Sequence, residues 1–98
     1  MRKITGDAYD AFQAKKRFKK DNTEVKVFNG ESHLYLFGNE IVKTDKGDVW
    51  ISDGGYRPSK TTSERLSAFV YIRVNNGHFI INNQLRWDGR WLNISKLW

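Results

Sequence analysis

The residues of this chain best suited to chemistry are cations and aromatics, and the densest group is Lys15-Lys16-Arg17-Phe18-Lys19-Lys20. Five positive side chains so close together raise the local potential enough to draw phosphate groups or an acidic protein surface. A solvated helix end has the same composition, because cations there complement the negative pole of the backbone dipole. Residues 1–20 set seven Lys and Arg against Asp7 and Asp10, which leaves the rest of the chain nearly neutral within a net charge of +6.

A second group surrounds Asp88-Gly89. If that pair closes a two-residue hairpin, Trp87 faces Arg90, Arg86 faces Trp91 and Leu85 faces Leu92. Leu85, Trp87, Leu92 and Ile94 then share a core face, and Arg86 stands against Trp91 on the other. An exposed guanidinium–indole pair is suited to stacking on bases or to anchoring an interface. A bulge in either strand, or a helix covering the second face, would instead bury Trp91. The loop Gly54-Gly55-Tyr56-Arg57-Pro58-Ser59-Lys60-Thr61 precedes a helix start. Its backbone N–H groups, with Arg57, Lys60 and Thr61, form a candidate phosphate site. Turn formation and capping account for the same residues apart from the two cations, and the spacing is not that of a Walker loop.

For catalysis the inventory is thin. His33 and His78 are isolated, and Asp7, Asp10, Asp45 and Asp48 occupy helix and turn positions where capping and solvation explain them. The absence of Cys removes disulfides, thiol nucleophiles and Cys-ligated zinc. No metal ligand set and no cofactor motif stands out. The expectation is a protein that is not an enzyme, with a small metal-dependent nuclease as an alternative that would require convergent carboxylates.

These groups must be held by a small fold. Ile4, Ala8, Ala11 and Phe12 recur at helical spacing and predict a helix over 5–17, ending near Lys16 with Phe18 tucked into the core. The period then changes to two. Thr23–Phe28 reads as a strand, Leu34–Phe37 and Glu40–Lys43 flank a Gly38-Asn39 turn, and Val49–Ile51 follows. Thr61 with Glu64 three residues on has the form of a capping box for a second short helix carrying Leu66, Phe69 and Val70. Four further strands are expected at Tyr71–Val74, His78–Ile81, Gln84–Trp87 and Arg90–Ile94, separated by Asn- and Gly-rich turns. The pattern is α+β: two short helices, each followed by a small antiparallel β-meander, in one compact domain spanning residues 1–98. With 98 residues, 39% hydrophobic and 14% aromatic, the chain can close its own core. No membrane-length apolar run occurs, so the expectation is a soluble, intracellular protein.

Four strings point to a family setting: Asn22-Thr23-Glu24-Val25, Leu34-Tyr35-Leu36-Phe37-Gly38-Asn39-Glu40-Ile41, Thr61-Thr62-Ser63-Glu64-Arg65-Leu66 and Trp87-Asp88-Gly89-Arg90-Trp91. Across most of its length the chain resembles small accessory proteins of tailed phages and prophages. The resemblance implies the cytoplasm of an infected bacterium and action by binding, for instance by blocking host defence or transcription machinery. The expected partner is a host protein or nucleoprotein complex, bound through Lys15, Lys16, Arg17, Lys19, Lys20, Arg86 and Trp91. Direct, non-specific binding of DNA or RNA is the alternative from a different class. Salt dependence separates the two, since pure phosphate binding weakens steeply with salt.

Overall fold

A computed structural model of the chain describes residues 2–55 and 58–97. The first helix, α1 (Lys3–Ala14), buries Ile4, Thr5, Ala8 and Phe12 as one stripe. It ends earlier than its apolar spacing predicts. Lys15 turns left-handed at φ 56°, and the Lys15 and Lys16 N–H groups close on the carbonyls of Phe12 and Ala11. This is the helix terminator usually built on glycine. The rest of the basic block is therefore not helical: Phe18–Lys20 forms an unforeseen strand, β1.

β1 opens an antiparallel meander continued by β2 (Thr23–Phe28), β3 (Glu31–Leu36), β4 (Asn39–Asp45) and β5 (Asp48–Ile51). The hairpin expected at Gly38-Asn39 turns one residue earlier, on Phe37-Gly38, because Leu36 pairs with Asn39. That position supplies the two positive φ values such turns require, 51° at Phe37 and 79° at Gly38. A β-bulge beyond it lets Ile41 and Val42, adjacent in sequence, both reach zero exposure.

The second helix, α2 (Lys60–Leu66), starts at Ser59 and not at Thr61. The Ser59 hydroxyl accepts from the Thr62 N–H at 3.1 Å, so the Thr61/Glu64 capping box does not form. β6 (Ile72–Asn75), β7 (His78–Ile81) and β8 (Leu85–Trp87) then make a separate three-stranded antiparallel sheet.

The main departure follows β8. Asp88-Gly89 is not a two-residue hairpin. Arg90 N–H bonds back to Asp88 Oδ1, the Gly89 carbonyl accepts from Asp53 N–H at 2.9 Å, and the chain leaves its sheet. It returns to the first sheet as β9 (Leu92–Asn93), paired with β5, and ends in a 3-10 turn at Ile94–Lys96. Gly89 allows this crossing. At φ +90° a Cβ there would lie 1.9 Å from Asp53 Oδ2, so any other residue would be strained and would displace the Asp53 side chain.

The first sheet thus has six strands in the order β1-β2-β3-β4-β5-β9. The helix-then-meander plan holds for both halves except that the last strand joins the earlier meander. Phe12, Leu34, Ile51, Leu66, Phe79 and Trp87 belong to a single buried cluster shared by both sheets and both helices. A radius of gyration of 12.4 Å is what one domain of this length has, about 13 Å for 100 residues.

Candidate functional site

The register of the sheets assigns each expected site residue to a surface. Lys15, Lys16 and Arg17 form the exposed turn after α1, and Lys19 and Lys20 project from β1, at one edge of the six-stranded sheet. All five are exposed, and none takes part in an ion pair among the described residues. Lysines on an open edge also discourage other strands from adding to the sheet.

Trp91 stands at the opposite edge, beside β9. Five inter-strand steps separate the two edges, about 24 Å. The block and the indole therefore cannot grip one small ligand. Trp91 is 39% exposed, and its cationic neighbour is Lys43, whose Nζ lies 4.3 Å from the ring centre. The expected Arg86–Trp91 pair is absent because β8 and β9 lie in different sheets. Trp87 is buried as expected, but for another reason: it packs on Phe79 and donates its indole N–H to the Arg90 carbonyl at 2.8 Å. Leu85, expected in the core, lies on the edge strand β8 and is 41% exposed.

Of the candidate phosphate site, Arg57 lies outside the described residues. Lys60 and Thr61 occupy the first turn of α2, which has seven residues. The neighbouring depression of about 370 Å³ is lined by Glu40, Asp53, Gly54, Gly55 and Trp91 among others. Its two carboxylates are engaged, Glu40 with His33 and Asp53 with the Gly55 N–H. Arg90 lines the same depression, so its wall carries charges of both signs.

Two arrangements were not anticipated. The first is structural. Arg65 is 2% exposed and donates to Thr23 Oγ1 at 3.0 Å, Thr5 Oγ1 at 3.2 Å and Glu64 Oε1 at 2.8 Å. It ties α1, β2 and α2 together. Burial alone would raise the Glu64 carboxyl. Hydrogen bonds from Thr5 and the Arg2 N–H, with the Arg65 charge, outweigh it and hold that carboxyl below its ordinary value.

The second arrangement is a face. Strand alternation turns Ile72, Phe79, Ile81 and Trp87 inward, so Arg73, Asn75, His78 and Arg86 point outward from the three-stranded sheet around a half-buried Ile80 that pairs with both arginines. All four are exposed. The signal was legible: between Glu64 and Asp88 the sequence contains no carboxylate. The outer face of the six-stranded sheet differs, with Glu24 opposite Tyr35 and Tyr35 opposite Glu40. Burial and then these two carboxylates raise the Tyr35 hydroxyl above its ordinary value.

No group of three or more His, Asp or Glu converges among the described residues, and no described helix is long and apolar enough to cross a membrane. What the fold defines is a small basic α+β domain with open sheet faces. The family follows from the sequence: residues 1–93 match the family model of the Kyanoviridae Gp96 protein, and the chain belongs to that cyanophage family. No curated protein and no solved structure matches it.

Proposed function

We propose that this protein is a non-enzymatic phage accessory protein that binds a host target containing or handling nucleic acid. The observation that carries the reading is the basic block: five exposed cations on one turn and one edge strand, without an ion pair among the described residues. Such a surface raises encounter rates with polyanions and gives a salt-dependent share of the affinity. Its side chains are expected to contribute little to folding, since all five residues are exposed. Host takeover or counter-defence is the role this binding would serve in the cytoplasm of an infected bacterium.

A tagged pull-down from host cells, run with and without nuclease, tests the reading. Capture of a defined nucleoprotein assembly, weakened in the K15Q/K16Q/K19Q/K20Q variant at wild-type thermal stability, is the expected result. Full capture by that variant would reduce the block to a solvated edge.

A further inference from the structure

We infer that the outer face of β6–β8 is a DNA-contact surface that seats against the major groove of a duplex. The inference rests on the proposed reading and names the nucleic acid within it.

Charge is the first support. Arg73, His78 and Arg86 share this face, and no carboxylate occurs in the sequence between Glu64 and Asp88. The carboxylates at the two limits are occupied: Glu64 pairs with buried Arg65, and Asp88 receives Arg90 Nε at 3.4 Å and Arg90 N–H at 3.0 Å.

The arginines are also held in place without being neutralised. Arg73 Nε donates to Asn83 Oδ1 at 3.0 Å, and Arg86 Nη2 donates to the His78 ring at 2.6 Å. Neither neighbour is a carboxylate, so no opposite charge is paired with either arginine. Each guanidinium therefore keeps its full charge and further N–H groups for an incoming ligand. Arginine of this kind recognises phosphate or the guanine edge through paired hydrogen bonds, and the neighbouring exposed Asn75 has the side chain that reads adenine.

Dimensions favour a groove. Three strands place the outer two about 10 Å apart, close to the ~12 Å width of the major groove. The opposite side of the same sheet is fixed to the core by Phe79, Ile81 and Trp87, so the ribbon is presented as a rigid unit. The six-stranded sheet offers no equivalent surface, because Glu24 and Glu40 stand on its outer face.

The test is binding of the full chain to a short labelled duplex, and to its separated single strands, across a salt series. Wild type should prefer the duplex. R73Q/R86Q should weaken duplex binding by about tenfold or more and make the salt slope shallower by about two. R73K/R86K should fall between them, since it keeps charge but loses the planar fork. Both variants should melt like wild type, because both side chains are exposed. Duplex binding unchanged in R73Q/R86Q but lost in K15Q/K16Q/K19Q/K20Q would overturn this inference and leave the proposed function standing. Tighter binding to the single strands would overturn the groove geometry. No binding to any of these oligonucleotides would overturn direct DNA contact, while nuclease-sensitive capture in the pull-down would still support the proposed function.

Discussion

Along the outer face of the six-stranded sheet, Glu24, Glu31 and Glu40 alternate with Lys26 and Lys43, and both lysines lie over aromatic rings, Tyr35 and Trp91. Along the outer face of the three-stranded sheet, Arg73 and Arg86 flank Ile80 and have Asn83 and His78, not carboxylates, as their side-chain hydrogen-bond partners. The two sheets share one apolar core, so folding alone does not demand the difference. Charges that serve a folded surface are commonly matched across strands, as on the larger sheet. An unmatched set costs some repulsion within the domain, which a polyanion on that face would relieve. The contrast is why a binding role is proposed for the smaller sheet and the basic edge.

The sharpest way to break the comparison is to remove what joins the two sheets. Trp87→Ala should cost about 3–5 kcal/mol, as for emptying any large buried aromatic site, and denaturant midpoints would record it. Trp91→Ala should cost about 1 kcal/mol or less, mainly its contact with Lys43. A reversed order would mean that the junction at Asp88-Gly89 has been misread.

Arg65→Ala comes next, at about 3 kcal/mol, because it leaves the Glu64 carboxylate without its cation beside the Thr5 and Thr23 hydroxyls. The same cluster sets an acid limit. Glu64 has its carboxyl lowered in the folded state, so its contribution is present above the ordinary carboxylate value and lost as pH falls through the lowered one. Glu64→Gln should flatten the acid limb of a stability–pH curve; an unaltered limb would show that other carboxylates control it.

Gly89→Ala is expected to cost about 1–3 kcal/mol, from strain at positive φ and collision with Asp53. Because β9 reaches the larger sheet only through this junction, hydrogen exchange at Leu92 and Asn93 should rise more than exchange in β7. The smallest effect concerns the start of α2. Ser59→Ala should cost about 1 kcal/mol, and Thr61→Ala should leave the unfolding midpoint nearly unchanged.

Much of this was legible in the sequence where local pattern decides. Thr23–Phe28 and His78–Ile81 are strands with the bounds that alternation and Asn-Gly turns predict. What sequence could not show depended on distant pairing. β1 is too short to display a period, and its pairing of Phe18 with Val25 is a tertiary fact. Asp88-Gly89 has hairpin composition, yet Asp53, far away in sequence, captures the Gly89 carbonyl and redirects the chain. Nothing in the local pattern singles out Arg65, around which Thr5, Thr23 and Glu64 close only in the fold. Thr61 and Glu64 have capping-box spacing, but Ser59 caps first and Glu64 is taken by Arg65. The Arg86–Trp91 pair failed with the hairpin register, whereas the acid-free run beyond Glu64 was open to view and required only the sheet to give it a face.

The contrast between the two sheets is tested most directly by titrating the isotope-labelled protein with a short DNA duplex and following backbone and side-chain NMR signals. Perturbations should concentrate at Arg73, Asn75, His78 and Arg86, with a weaker set along Lys15–Lys20. Phe28, Tyr35 and Trp50 on the larger sheet should stay still. Perturbations centred on those aromatics, with the β6–β8 face unmoved, would contradict the assignment of the binding surface to the smaller sheet.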